Sequence, residues 1–303
     1  MKIQKFAAID IGSNAIRLLI ANVIIKKGFP IKFIKSSIVR VPIRLGEESF
    51  TIGEISSKNI KKIVKTIKAF KHIINVNEVK SFLAFATSAL REANNSKEVI
   101  QEVKKKTKLK IEIIDGRKEA KIISLNNIFE FINKNRTFIY VDVGGGSTEF
   151  SIIVNGKRKK SKSFKIGTVR IINKMTSVDV WDKIRIWIKS NIRKNSKIAL
   201  IGSGGNINKI FKIAGVLDSR PLTLIKLNSI YKSLIKMSYE ERIINLELNP
   251  DRSDVIIPAA EIFLKTLEWS GSTEIYVPKV GLADGMVRLL YKKKLTVNKF
   301  LIS

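Results

Sequence analysis

Apolar positions at the start of the chain fall into two short runs around one polar turn. In KFAAIDIGSNAIRLLIANVII, FAAI reads as a buried β-strand, Gly12, Ser13 and Asn14 as turn residues, and IRLLIANV as the returning strand. IKFIKSSIVRV continues as a third strand. Ile60, Ile63, Val64, Ile67 and the 70–74 cluster then recur at helical spacing, after the cap candidates Ser56 and Ser57. SFLAFATSAL is strand-like, SKEVIQEVKKKT helical, and LKIEIID a strand again. Residues 117–132 read as a helix, with Ala120, Ile123, Leu125 and Ile128 among its apolar positions.

The pattern then restarts. TFIYVDVGGGSTEFSIIVNGKRKK is again strand, Gly-rich turn and strand, followed by a turn at Asn155-Gly156 and a β stretch, SKSFKIGTVRI. A helix over 179–194 leads into a short strand, KIALIG, and a further Gly-rich turn, SGGN. The rest, from about 210, is mostly helical, with one strand candidate at TEIYVPKVG. An apolar strand ending in Asp-x-Gly thus occurs at Asp10 and again at Asp142, too far apart for a solenoid repeat and suited to one duplicated domain. The expected fold is α/β: two domains of mixed sheet and helices facing across a cleft, divided as residues 1–125 and 126–303. No Pro- or Ser-rich linker marks the boundary, which is placed by pattern alone.

The 303 residues, 45% hydrophobic, suffice for two domains with cores. There are no cysteines, which removes disulfides, a thiolate nucleophile and Cys-ligated zinc. A single histidine, His72, gives a His-pair metal site or a phosphohistidine relay nothing to build on. It reads as an ordinary helix-end residue. Charge changes the picture more: 57 Lys+Arg against 26 Asp+Glu leave a formal net of +31. Such a surplus attracts polyanions. Crowding with Ile, Lys and Asn, all A/T-rich codons, offers a genomic origin for the same surplus, and charge alone does not choose. The first apolar run is interrupted by Asp10, Ser13, Asn14 and Arg17, so it reads as neither signal peptide nor membrane span. A cytoplasmic location is the expectation.

Two Asp-x-Gly turns can do phosphate chemistry. Glycines let backbone N–H groups approach phosphoryl oxygens, and each Asp remains as a carboxylate able to hold Mg²⁺ directly or through water. DVGGGSTE adds the Ser147 and Thr148 hydroxyls and the Glu149 carboxylate. IGSGGN at 201–206, with Ser203 and Asn206, is a third turn of this kind and weak by itself. FATSALREANN places Thr87, Ser88 and Arg91 just beyond a strand end, where α/β sites commonly lie, and an Arg fork suits phosphate. Arg91 reads equally as a helix-surface arginine. In IEIIDGRKEAKII, Glu119 falls in the first turn of a helix, whose dipole favours an ionised carboxylate that could accept a proton from water. Spacing alone does not select it over a Glu that merely complements the dipole.

Together, AIDIGSNAIRLLI, FATSALREANN, IEIIDGRKEAKII, VDVGGGSTEFSI, IGSGGNINKI, NPDRSDVIIPAAEIF and VGLADGMVRLL resemble, in order, the exopolyphosphatase / guanosine pentaphosphate phosphohydrolase (Ppx/GppA) family of the actin-like superfold. The resemblance implies that Glu119 is the base for the attacking water and that Asp142 and Glu149 are catalytic carboxylates supporting Mg²⁺. It further implies that Gly144, Gly145, Gly146, Ser147 and Thr148 form one phosphate loop, Asp10, Gly12, Ser13 and Asn14 the other, with Arg91 gripping phosphate. The implied reaction is in-line attack of water on a terminal phosphoryl group of inorganic polyphosphate, or alternatively of guanosine pentaphosphate, releasing orthophosphate without a phosphoenzyme. A homodimer is expected from the family, with no nucleic-acid or membrane partner. Ala15 replaces a usual Ser, and Lys118 stands where many members carry a second acid. A segment at Ala259 and Ala260 lacks a common Gly. The length matches the short, two-domain members. Lys118 and the KRKK run at 157–160 favour a long polyanion, although that run, beside a hairpin turn, also reads as a solvated face. A sugar-type kinase on the same superfold, and a non-enzymatic polyphosphate or alarmone sensor or a nucleic-acid binder, are the alternatives from other classes.

Overall fold

The computed structural model describes residues 1–126, 136–193 and 196–300. The chain forms two compact units: Met1–Asn126 with the segment from Gly281, and the chain up to Val280, described from Arg136.

The first unit is built on five strands: β1 (Lys2–Ile11), β2 (Ala15–Ile25), β3 (Lys32–Pro42), β4 (Ser81–Ala86) and β5 (Glu112–Ile113), in the order β3-β2-β1-β4-β5. β1–β2 and β2–β3 are antiparallel hairpins, whereas β1–β4 and β4–β5 are parallel. Parallel pairing brings the C-terminal ends of β1, β4 and β5 to one edge of the sheet, so the turns that follow them are neighbours. β1 sits at the centre, and Phe6, Ala7, Ala8, Ile9 and Ile11 are buried on both faces. The helix Ser57–Val76 begins where the Ser56 hydroxyl accepts from the Asn59 N–H at 3.3 Å, and it buries Ile63, Ile67, Phe70 and Ile74 at the expected spacing. His72 lies exposed near its C-terminal end.

One expectation is corrected here. The C-terminal segment, assigned to the domain 126–303, packs in the first unit instead, its helix Leu282–Phe300 lying on β1, β2 and β4. The reason is apolar: Met286, Val287 and Tyr291 are buried, and Tyr291 meets Phe6 and Phe33 edge-on at 6.4 and 5.8 Å between ring centroids. Gly285 makes the approach close. A Cβ there would lie 2.2 Å from the Ile122 carbonyl oxygen. This helix therefore braces the one that carries Glu119.

The second unit repeats the plan. Its strands are β6 (Thr137–Val143), β7 (Thr148–Val154), β8 (Lys157–Phe164), β9 (Ile198–Ser203), β10 (Leu222–Thr223) and β11 (Glu274–Tyr276), ordered β10-β11-β9-β6-β7-β8. Read from β8, this is the first sheet's order and pairing sense with one antiparallel strand added. The expected duplicated α/β plan is thus present, one mixed sheet of this order in each unit. The second unit's core joins Val141, Phe150, Phe164, Leu200, Ile207 and Phe263, with Trp187 tilted against Phe150 and edge-on to Phe164.

Several boundaries differ from the sequence reading. Strand character in SFLAFATSAL stops at Ala86, and Ser88–Glu92 turns helical; LKIEIID contributes only Glu112–Ile113. The β stretch expected through 171 begins earlier, at Lys157, and ends at Phe164, with Thr168–Ile172 helical. The helix expected over 117–132 runs Gly116–Ile123 and closes in a 3-10 turn, Ser124–Asn126, while 127–132 lie outside the described residues. That of 179–194 spans Val180–Asn191, with 194 likewise outside. The helix Leu45–Thr51 and the two-residue β10 carried no signal of their own. Among the described residues no helix is long and apolar enough to cross a membrane.

Candidate active site

In the first unit the shared sheet edge collects the expected residues. Asp10 is the penultimate residue of β1 and pairs in register with Arg17 of β2, the two side chains 3.7 Å apart. It is buried, and burial pushes its carboxyl above the ordinary value of 3.8, against the opposing pull of Arg17. The turn closes with the Gly12 N–H donating to the Ala15 carbonyl at 3.1 Å. Ser13 shares a hydrogen bond with Ser88 at 2.9 Å between hydroxyl oxygens, joining the turn after β1 to the turn after β4. The Asn14 carbonyl accepts from the N–H groups of Ile43 and Arg44. Thr87 and Ser88 are both buried, so these hydroxyls hold loop to loop.

Arg91 does not point away as a surface arginine. Its Nη1 donates to the Ile114 carbonyl at 2.8 Å and stands 3.9 Å from Glu119 Oε2. Glu119 occupies the first turn of Gly116–Ile123, capped by Asp115, whose carboxylate accepts from the Lys118 N–H at 2.7 Å. Its side chain is only 12% exposed. Lys118 is turned elsewhere, to Glu112 and over the Phe85 ring. Asp10, Ser13, Ser88, Arg91 and Glu119 therefore lie at or just beyond the C-terminal ends of neighbouring parallel strands, the place where α/β sheets put their chemistry.

A pH prediction arises from Asp10. Because its proton is held more tightly in the folded chain, Asp10's contribution to stability is fully present below the ordinary carboxylate value and is lost as pH rises through the raised pKa. Asp10→Asn removes this dependence. Its thermal midpoint relative to the parent is expected to climb as pH rises from about 4 toward neutrality; parallel curves would show that Asp10 carries no such burden.

In the second unit, Asp142 of β6 and Glu149 of β7 are cross-strand partners, so their carboxylates share one face. The loop between closes with the Gly144 N–H donating to the Ser147 carbonyl at 2.9 Å. Buried Glu149 accepts through Oε1 from the hydroxyls of Ser147 at 2.6 Å and Ser163 at 2.9 Å. Thr148 is fully buried and donates to the Ile166 carbonyl at 2.7 Å.

Sequence reasoning missed what supports this loop from behind. The Gly144 carbonyl accepts from the Thr168 N–H at 3.0 Å, the Gly145 carbonyl from the Val169 N–H at 2.9 Å, and the Gly146 carbonyl from buried Arg170 Nε at 2.7 Å. With their carbonyls drawn backward, the three glycines keep one conformation. Gly167 permits the contact, since a Cβ there would lie 2.4 Å from the Gly145 oxygen. The only hint was a glycine inside SFKIGTVRI. The third Gly turn also reaches the site: Gly204, at φ +110°, would set a Cβ 3.0 Å from the Val143 carbonyl and 3.4 Å from Asp142 Oδ1. Arg252 Nη1 holds the Gly205 carbonyl at 2.8 Å.

Two glycine turns, each on a duplicated sheet and each led by an Asp, go with one further finding: residues 25–294 match the model of the Ppx/GppA phosphatase family. The chain belongs to the Ppx/GppA phosphatase family. It is 31% identical over 294 residues, 89% of its length, to a bifunctional 3-dehydroquinate synthase/phosphatase of Fusobacterium nucleatum, of which it spans 44%. With exopolyphosphatase 1 of Mycobacterium leprae it shares 24% identity, covering 94% of this chain and 88% of that one. The crystal structure of the Aquifex aeolicus Ppx/GppA family member superposes with a TM-score of 0.76 at 25% identity, over 97% of this chain and 99% of that one. Membership in this family makes the chain a phosphatase, a hydrolase of phosphoryl groups.

Proposed function

We propose that the chain is an exopolyphosphatase, removing terminal phosphoryl groups from inorganic polyphosphate as orthophosphate. The observation that carries the reading is full-length likeness: the mycobacterial exopolyphosphatase matches over nearly all of both chains.

In the proposed reaction, Glu119 accepts the proton of the attacking water. It sits in the first turn of a capped helix, whose N-terminal dipole is complementary to a carboxylate. Arg91, held by the Ile114 carbonyl beside it, offers its remaining guanidinium donors to phosphoryl oxygens. The glycine loop offers the backbone N–H groups of Gly145 and Gly146, that of Gly144 being taken by the Ser147 carbonyl, and the resemblance gives Asp10, Gly12, Ser13 and Asn14 as a second phosphate-binding turn.

The residues present fit a divalent cation. Asp142 and Glu149 stand directly opposite on one strand pair, a placement that a cation beside them would complement. Asp142 is the more exposed and would hold Mg²⁺; Glu149, gripped by two serine hydroxyls, would support it from within. Bound Mg²⁺ would supply charge neutralisation on the phosphate oxygens.

Orthophosphate release from long-chain polyphosphate and from guanosine pentaphosphate, measured in parallel with Mg²⁺ present, tests the reading. Release from polyphosphate with the larger kcat/KM is expected. Cleavage of the nucleotide alone would keep the hydrolase and overturn the substrate.

A further inference from the structure

β8 is the free edge of the second sheet, and its side chains from Lys157 to Ser163 are exposed throughout. It carries Lys157, Arg158, Lys159, Lys160 and Lys162 with no acidic residue among them. Among the described residues none of Lys157, Arg158, Lys159 and Lys160 enters an ion pair. A lysine-rich strand by itself could reflect codon bias and nothing more. Two further features separate this one from the general surplus.

The first is where the strand leads. Ser163, near its C-terminal end, pairs in register with Glu149 and donates to its carboxylate, and Phe164 pairs with Thr148. The basic run is therefore continuous with the Gly144–Thr148 loop, and at ~3.3 Å per residue it extends about 20 Å from it. The second is what the strand lacks. Its exposed side chains are Lys, Arg and Ser only. No aromatic side chain offers a platform for a nucleic-acid base, and no apolar flank could enter a lipid surface. Charge along an extended edge, with outward N–H groups between the side chains, suits a linear polyanion held through its phosphates alone.

We propose that β8 is a binding track for the distal part of an inorganic polyphosphate chain whose end is processed at the glycine loop. This rests on the exopolyphosphatase reading and adds a chain-length rule to it. A substrate reaching from the loop along the strand gains the track. Tripolyphosphate, or a nucleotide carrying a short phosphate chain, does not.

The test compares two variants with equal loss of charge: Arg158→Gln/Lys159→Gln/Lys160→Gln on β8, and Lys58→Gln/Lys61→Gln/Lys65→Gln on the exposed face of helix Ser57–Val76. The β8 variant is expected to bind long-chain polyphosphate about 10-fold more weakly, with a salt dependence shallower by roughly 2–3 counterions. KM for the long chain should rise in step, while turnover of tripolyphosphate stays unchanged. The helix variant should match the parent. Equal weakening in both variants would make net charge the cause and overturn the track, as would an unaltered long-chain affinity. Weakened binding of single-stranded DNA or anionic vesicles with polyphosphate binding intact would overturn it too. The binding measurement needs no turnover, so an inactive parent protein would sink the exopolyphosphatase reading while the location of the polyphosphate contact was still read out.

Discussion

Glu119→Gln is expected to reduce orthophosphate release from polyphosphate by about 10²–10⁴-fold, the range that a positioned general base contributes. The substitution keeps size and helix position and removes only the basic carboxylate. Arg91 would still donate to the Ile114 carbonyl, so the turn it braces should hold. KM should therefore move little while kcat collapses, as for an interaction made only in the transition state. A parallel fall in substrate affinity would instead make Glu119 a structural partner of Arg91. That outcome is reachable, because the two side chains stand 3.9 Å apart.

The second large effect concerns Gly167, which touches no expected catalytic residue. Adding one methyl group in Gly167→Ala would bring a carbon within 2.4 Å of the Gly145 oxygen and 2.6 Å of the Gly146 nitrogen. Both are backbone atoms, so relief requires the glycine loop or the turn at 167 to move. Movement loosens the bonds that Thr168 and Val169 make to the Gly144 and Gly145 carbonyls. Overpacking of this kind costs about 1–3 kcal/mol, and displacing a phosphate loop by about 1 Å can cost 100-fold in rate. Melting some degrees lower, with activity down by roughly two orders of magnitude, is expected. Unchanged kinetics at a lowered melting temperature would separate the loop from catalysis.

The legible parts of the sequence were those written in local periodicity. The echo of Asp10 in Asp142 was visible because each follows a short apolar run and is followed within two residues by glycine, and the five strands of the first sheet recur in the same order in the second. Helix Ser57–Val76 was readable from its cap and its spacing. By contrast, Thr168–Ile172 is too short to show a helical period, and its contacts with the glycine loop depend on a hairpin folding back. The return of the C-terminal helix to the first unit is a contact between distant parts of the chain, which no local pattern encodes. Glu119 could be singled out only through the family resemblance. Its place in the first turn of a helix was legible, but its burial and the neighbouring Arg91 are physical features that the motif alone did not display.

The most direct measurement is a time course of long-chain polyphosphate with the purified protein and Mg²⁺, resolved by chain length on a gel and by orthophosphate assay, beside Glu119→Gln. The account predicts orthophosphate accumulating from the first minutes while chains shorten from their ends, and almost none with the variant. Mid-length fragments without early orthophosphate, or equal release by the two proteins, would contradict it.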